Sequence, residues 1–276
     1  MPRFDLHSHT TASDGVLAPA DLVARAVAQG VDVLAVTDHD DTAGLAQARA
    51  AAAGTRLTLV DGVEISVTWE RHTVHIVGLQ VNPAAPALDE GLAALRRGRD
   101  GRARAIAESL RTAGIAGAYE GALAFVTSER LISRTHFARF LVERGHVKDT
   151  KSAFKRYLVR GKPGYVPHTW APLADAVAWI HAAGGQAVLA HPGRYPLTAT
   201  GMRRLLGDFR DAGGDAIEIV SPSHSAAQAS EFATHARVFG LAGSCGSDFH
   251  DPDESWIDLG ALPPLPAGVT PVWAHW

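Results

Sequence analysis

Short apolar runs alternate with longer amphipathic stretches along most of this chain, and that rhythm restricts its fold more than any other feature. An apolar run of about four to eight residues suits a buried strand, and an amphipathic stretch of about ten to fifteen suits a helix. Their alternation builds βα units on a mainly parallel sheet. The expected strands are Phe4 to His9, Val31 to Thr37, Leu57 to Ile65, His75 to Leu79, Gln186 to Ala190, Ala216 to Val220 and Leu241 to Ser247. Helices are expected between them, among others over Ala18 to Gln29, Thr42 to Ala53, Leu173 to Ala183 and Ser225 to Phe239. Pro19 in the first turn and Gly30 past the last residue are ordinary helix punctuation. Seven such strands predict an α/β chain closed into an irregular (β/α) barrel.

The rhythm fails between Arg96 and Lys162, where only helical patterning is seen, over Arg102 to Arg111, Ser133 to Arg144 and Thr150 to Leu158. Sixteen Lys and Arg stand there against six Asp and Glu, while the rest of the chain holds ten against twenty-three. The net charge of -3 therefore conceals an acidic body and a basic insert. Residues 1–95 and 163–276 are expected to form the barrel, with 96–162 inserted as one wall of an anion site. One Cys excludes a disulfide framework and a thiolate-rich zinc site. No apolar run nears the roughly 20 residues that span a bilayer, and the start turns polar too soon for a signal peptide. A soluble, cytoplasmic protein without a membrane partner is the expectation. Oligomeric state is not readable.

Fourteen His are present, several beside acids. Period-two alternation places His7 and His9 on one strand face, close enough to share an ion. Asp14 follows in a loop, the second strand ends in Thr37-Asp38-His39-Asp40, the third ends near Glu64, and the fourth carries His75. Later strands end at His191 and at Asp248 and His250. In a parallel barrel those ends converge on one mouth, where active sites are built. Imidazoles with carboxylates suit divalent transition metals, and nine candidate ligands exceed what one ion needs. His72, His146, His181, His224, His235 and His275 are expected at the surface or in packing. His136 and His168 are possible substrate contacts, and Cys245 reads as a buried filler.

The residues DLHSHT, TDHD, Glu64, His75, AHP and GSDFH, in this order, resemble the polymerase-and-histidinol-phosphatase (PHP) family of metal-dependent phosphoesterases. The resemblance implies a distorted (β/α)7 barrel with a small helical insertion and a trinuclear centre. It implies that His7, His9, Asp248 and bridging Glu64 hold one ion and that Asp14, His39 and His250 hold a second. His75 and His191, with Glu64, would hold the third. Manganese is the expected ion, with zinc, iron and magnesium as alternatives. Asp5, Asp38 and Asp40 are expected to orient the imidazoles.

The stretches ISRTHFARFLVERGHVKD, FKRYLVRGKPGYV and AHPGRY are similar to a subgroup of nucleoside 3',5'-bisphosphate phosphatases and 5'-3' exoribonucleases. The implied reaction is attack on phosphorus by a metal-activated water among His39, Glu64 and His191. Ser133, Arg134 and His136 lead the candidates for holding a second phosphate, followed by Arg99, Arg130, Lys162 and Arg194. The expected substrate is a nucleotide bisphosphate such as 3'-phosphoadenosine 5'-phosphate, with short 5'-phosphorylated RNA as the alternative. Histidinol phosphate would leave the basic insert unexplained. A non-catalytic scaffold would be expected to lack ligands.

Overall fold

The computed structural model describes residues 2–126 and 131–276. Its strands are β1 (Phe4–Asp5), β2 (Val33–Val36), β3 (Thr58–Trp69), β4 (His72–Leu79), β5 (Ala171–Pro172), β6 (Gln186–Leu189), β7 (Ala216–Val220) and β8 (Ala242–Cys245). They pair in the order β1-β2-β3-β4-β6-β7-β8, with the short β5 added to β3. Backbone bonds then join the segment after β1 to β8. Leu6 N donates to Cys245 O at 3.0 Å, Asp248 N to His7 O at 2.9 Å and His9 N to Phe249 O at 2.9 Å. The result is an α/β barrel of seven principal strands.

The expected mainly parallel sheet is present with one reversed strand, and one expected strand end needs correction. β4 runs antiparallel to both β3 and β6, so the barrel is not uniformly parallel. β3 also continues five residues beyond Glu64 and turns back into β4 through Glu70 and Arg71. Glu64 is therefore a mid-strand residue, and His75 lies in the first half of its strand. Both still reach the mouth, because reversing the strand direction brings the start of β4 to the ends of its parallel neighbours.

The helices α1 (Pro19–Gln29), α2 (Leu45–Ala52), α7 (Leu173–Ala182), α8 (Ala199–Asp211) and α9 (Ala226–Phe239) follow the barrel strands. Gly30 ends α1 at φ 76°, a left-handed cap that glycine adopts without strain. Leu22, Val23 and Ala26 of α1 pack with Leu45 and Ala48 of α2 over Leu34 and Val36. Val60, Val77, Val188 and Ala216, from four strands, pack with Leu6, Ala35 and Val272. On β3 and β4 the face that carries Val60 and Val77 continues to Glu64 and His75, so it is apolar below and polar at the mouth. The apolar C-terminal stretch covers this barrel: Trp273 stacks on Phe4 at 4.1 Å, and Val272 N bonds to Gly243 O.

The helix α3 (Pro86–Thr112) leaves the barrel and enters the basic segment. Its first half buries Leu88, Leu92 and Leu95 with the barrel helices, and its second half buries Ala103, Ile106 and Leu110 in a separate core. The helices α4 (Ala118–Leu123), α5 (Arg134–Glu143) and α6 (Thr150–Ala153) complete that second core, which holds Phe137, Phe140 and Leu141. The helix expected from Thr150 to Leu158 is α6 followed by a π-helical turn over Phe154–Leu158. Among the described residues, no helix is long and apolar enough to cross a membrane.

Candidate metal centre

All nine expected ligand residues meet at the barrel mouth. Glu64, fully buried on β3, is the hub. Its Oε1 lies 2.8 Å from His75 Nδ1 and 2.9 Å from His191 Nε2. Its Oε2 lies 2.9 Å from His39 Nδ1 and 3.4 Å from both His7 Nε2 and His9 Nε2. Asp248 Oδ1 stands 3.2 Å from His9 Nε2 and 3.6 Å from His7 Nε2. Asp14 Oδ1 faces His250 Nε2 at 3.3 Å and His39 Nε2 at 3.9 Å.

These atoms form four overlapping groups with all members within 4.8 Å of one another: His9, Asp14, His39 and His250; His7, His9 and Asp248; His7, Glu64 and His191; and His39, Glu64 and His75. The first adds His9 to the expected second-ion set, and the second matches the expected first-ion set without Glu64. The expected third set divides: His75 groups with His39 and His191 with His7, and Glu64 is common to both.

The electrostatics are those of a cation site. Burial alone would raise the Glu64 carboxyl, but the imidazoles of His39, His75 and His7 hold it well below the usual carboxylate range. Asp14 and Asp248 are likewise held low against burial, the first by His39 and His250, the second mainly by His7 and His9. Burial pushes His9 down to about 3 and His75 down to about 4, which leaves their rings neutral and able to donate a lone pair. His7 Nε2, both ring nitrogens of His9, Asp14 Oδ1 and Glu64 Oε2 are buried without a hydrogen bond. Buried polar atoms are ordinarily satisfied, so several unsatisfied atoms aimed at one another fit divalent ions between them.

Glu218, in the middle of β7 and 2% exposed, joins this centre although the sequence analysis did not single it out. Its Oε1 accepts from His7 Nδ1 at 3.1 Å, and its Oε2 accepts from the His191 backbone N–H at 2.6 Å. Against burial, Glu64, Glu218 and Asp248 raise the His7 imidazole well above its usual value; with an ion bound, the contact to Glu218 would keep the remaining proton on Nδ1 and leave Nε2, which faces Glu64 and Asp248, for the ion. An acid inside an otherwise apolar strand was the available signal.

Asp5, Asp38 and Asp40 act differently from expectation, since the bonds they make run to backbone, hydroxyl and guanidinium groups. Asp5 accepts from Ser247 N and Gly260 N at 2.8 and 2.9 Å, fixing the loop that carries Asp248. Asp38 accepts from Thr10 N at 2.8 Å and from the Thr10 and Ser13 hydroxyls, fixing the loop that carries Asp14. Asp40 accepts from Ser66 N at 2.7 Å and from Arg99. Strain accompanies this chemistry: His191 at φ 27° and Asp248 at φ 48° are in the left-handed region without being glycine. Gly246 is required beside them, because a Cβ there would come within 2.2 Å of His7 Cβ.

Beyond the His and acid cluster lies a cleft of about 660 Å³, walled by α3, α5 and the barrel mouth. Arg99, Arg102, Ser133, Arg134 and Arg194 line it. Arg99 is fastened to Asp40 and Ser66 and lies over the Trp170 ring at 4.6 Å. Arg102, which sequence reasoning did not single out, lies over the same ring at 5.1 Å. Burial lowers the Arg102 guanidinium to about 9, with Arg134 and Arg99 adding repulsion, and Arg134 is lowered by burial and Arg99. Three crowded guanidiniums repel one another here, and an anion among them would relieve that repulsion. The Arg99–Arg102 spacing on one helix was the sequence signal for it.

The other expected contacts fall as follows. Ser133 caps α5 and donates to Asp14 Oδ2 at 3.0 Å, reaching the centre through that carboxylate. His136 is buried, its Nδ1 accepting from Ser133 N, and does not line the cleft. Arg194, 52% exposed, binds Asp248 Oδ2 at 2.6 Å. Lys162 is exposed and away from the cleft, and Arg130 lies outside the described residues. His168 packs on Trp170 at 4.2 Å. His224 accepts from Gly193 N at 3.0 Å, holding the turn after His191.

The model of the PHP domain family matches residues 5–161, more than half of the chain. The chain belongs to the PHP domain family. A 3',5'-nucleoside bisphosphate phosphatase of Chromobacterium violaceum is 52% identical over 273 residues, covering 99% of this chain and 96% of that protein. The 5'-3' exoribonuclease Rnm of Salmonella typhimurium is 50% identical over 275 residues, covering 99% and 93%. A solved structure from Chromobacterium violaceum, described as an amidohydrolase with bound sulfate and no metal, superposes with a TM-score of 0.95 at 52% identity, covering 98% of this chain and 94% of that one. A Bifidobacterium adolescentis structure assigned as a metal-dependent phosphoesterase gives 0.83 at 28% identity, covering 99% and 94%.

Proposed function

We propose that this protein is a metal-dependent phosphatase that removes the 3'-phosphate of nucleoside 3',5'-bisphosphates, such as 3'-phosphoadenosine 5'-phosphate, releasing nucleoside 5'-monophosphates. The observation that carries this reading is the adjacency of two sites, a His and carboxylate centre and an arginine-lined seat in one cleft. A substrate with two phosphates uses both. Relatives about half identical over nearly the whole chain, one a nucleoside bisphosphate phosphatase, support the same substrate class.

His7, His9, Asp14, His39, Glu64, His75, His191, Asp248 and His250 would hold the divalent ions; we read them as three, and as manganese, which the three carboxylates and added waters suit, although the six imidazoles suit zinc or iron as well. Such ions, when bound, polarise a phosphoryl oxygen and make water a nucleophile near neutral pH. Residues 96–162 act in this reading as a substrate-binding insert on the barrel of residues 1–95 and 163–276. Arg99, Arg102 and Arg134 bind the 5'-phosphate, and Trp170 backs the guanidiniums from behind. Holding that phosphate sets the 3'-phosphorus over Glu64, His39 and His191, the residues around the attacking water. Arg194, tied to Asp248, orients a non-bridging oxygen. Water adds to phosphorus, the bond from O3' to phosphorus breaks, and O3' leaves with a proton. A place in the cytoplasm, where nucleotides are made and spent, suits this reaction.

A second reading shares the same bond. When the 3'-phosphate also carries a following nucleotide, breaking the O3'–P bond releases the first nucleotide and leaves a new 5'-phosphate on the remainder. That end can re-enter the arginine seat. The 50% identical exoribonuclease favours retaining this activity beside the first. The deciding experiment compares metal-loaded protein on 3'-phosphoadenosine 5'-phosphate, a simple phosphomonoester and histidinol phosphate. Preferential release of phosphate from the bisphosphate, lost on chelation, is expected. Faster hydrolysis of either monophosphate would overturn the reading.

A further inference from the structure

A second groove, of about 1400 Å³, runs from the metal centre along the seam between the insert and the barrel. It shares Thr135, Phe154, Arg194, Asp248 and His250 with the first cleft and then departs on the side away from Arg99, Arg102 and Trp170. One wall comes from the insert, with Arg139, Lys151 and Phe154; the other comes from the loop after β8, with Ser255 and Trp256. Thr150 Oγ1 donates to Glu254 Oε2 at 3.0 Å, tying the walls together.

Trp256 is 82% exposed, the most exposed of the large hydrophobic residues described. Folding gives no reason for an indole to stand in water at the rim of a catalytic mouth, whereas stacking does. Lys151 places its ammonium 5.1 Å from the centre of that ring, where it can also meet a phosphate. An exposed aromatic platform with an adjacent cation is how proteins bind single-stranded nucleic acid without reading its sequence.

We infer that this groove seats the nucleotide on the 3' side of the scissile phosphate of a short RNA, with its base stacked on Trp256 and its backbone beside Lys151 and Arg139. The inference rests on the phosphoesterase reading above and adds a substrate polarity to it. The 5' nucleotide lies towards Trp170, and the chain continues past Asp248 and His250 towards Trp256. A nucleoside 3',5'-bisphosphate has no group to place there. Trp256 is thus a specificity residue for RNA over bisphosphate.

The test is steady-state kinetics of manganese-loaded wild type, Trp256→Ala and Trp256→Phe on three substrates. These are a 5'-phosphorylated dinucleotide, the same molecule with an abasic 3' residue, and a nucleoside 3',5'-bisphosphate. Stacking of one base is worth about 5- to 150-fold by alanine substitution. Trp256→Ala should lower the ratio of dinucleotide to bisphosphate kcat/KM by such a factor, mainly through KM, and Trp256→Phe should restore most of it. Removing the 3' base should bring wild type down to the alanine variant and leave the variant unmoved. An unchanged ratio, or independent and additive losses from base and indole, overturns the inference. So does a Trp256→Ala protein with an altered oligomeric state and an unaltered ratio, which would make the indole a contact between copies. Wild type that hydrolyses the bisphosphate but not the dinucleotide removes the inference and leaves the phosphatase reading standing. Activity on neither substrate removes both.

Discussion

Replacing Glu218 by Gln changes almost no volume and alters only which atoms can accept a proton. Glu218 accepts twice, from His7 Nδ1 at 3.1 Å and from the His191 backbone N–H at 2.6 Å. A Gln offers one acceptor oxygen and one NH₂ donor. The His191 amide has only a hydrogen to give, whereas an imidazole can exchange its two nitrogens. The Gln oxygen therefore stays with His191, and His7 must accept at Nδ1 and carry its proton on Nε2. That nitrogen faces Glu64 at 3.4 Å and Asp248 at 3.6 Å, and once protonated it has no lone pair for an ion. Loss of such an outer partner costs about 10- to 100-fold in metal affinity, equivalent to about 1.4–2.7 kcal/mol. Binding through His7 should weaken by that factor. The set of Asp14, His39 and His250 does not include His7 and should weaken less, by the part that reaches it through the shared His9. Calorimetric titration of chelator-stripped protein with Mn²⁺ reads both classes. Uniform weakening of every class refutes the tautomer argument, and so does unchanged metal affinity with a lowered Tm.

Arg134→Ala should lower kcat/KM for a nucleoside 3',5'-bisphosphate relative to a simple phosphomonoester by about 10- to 150-fold, the worth of a buried charge-assisted contact of about 1.5–3 kcal/mol. Equal losses on the two substrates, measured side by side, would make the guanidinium structural. Glu64→Ala should strip metal and abolish turnover on every substrate, since that carboxylate joins two of the four ligand groups; metal content after gel filtration checks it. Saturating metal should raise the Tm of wild type, by about 2.7 kcal/mol of added stability at 100 times Kd, and Glu64→Ala should lose that rise. Burial pushes the Cys245 thiol well above its usual value, so it stays protonated through pH 8 and the reactive thiolate is scarce. A thiol reagent at pH 8 should label the native protein slowly and the unfolded chain at once. Rapid labelling of native protein would contradict the packing of β8.

The structure reproduces the alternation read from the sequence in all seven expected strands, because a buried strand needs a compact apolar run and leaves a local trace. His7, His9, Asp248 and His250 were visible for the same reason, as polar residues spaced by two at strand ends. The reversal of β4 left no such trace. Its turn at Glu70 and Arg71 has no Gly or Asn, and Glu70 takes φ 50° without help from composition. Glu218 was hidden because one acid within Ala216 to Val220 looks like an interruption until His7, 211 residues away, arrives against it.

Ser133, Arg99 and Arg102 mark the same boundary from the other side. Ser133 and Arg99 were expected at an anion site and Arg102 was not, and nothing local showed that Ser133 would be spent on Asp14 or that Arg99 would be fastened to Asp40. By itself the sequence determined where most strands and helices form and, for His39, His191, Asp248 and His250 though not for Glu64 or His75, which side chains follow strand ends, since both follow from periodicity within a few neighbours. Only the tertiary structure decided which acid serves which imidazole, which guanidiniums crowd together, and where Trp256 faces the mouth. Those are contacts between residues far apart along the chain, fixed by how the barrel closes and how the insert folds over it.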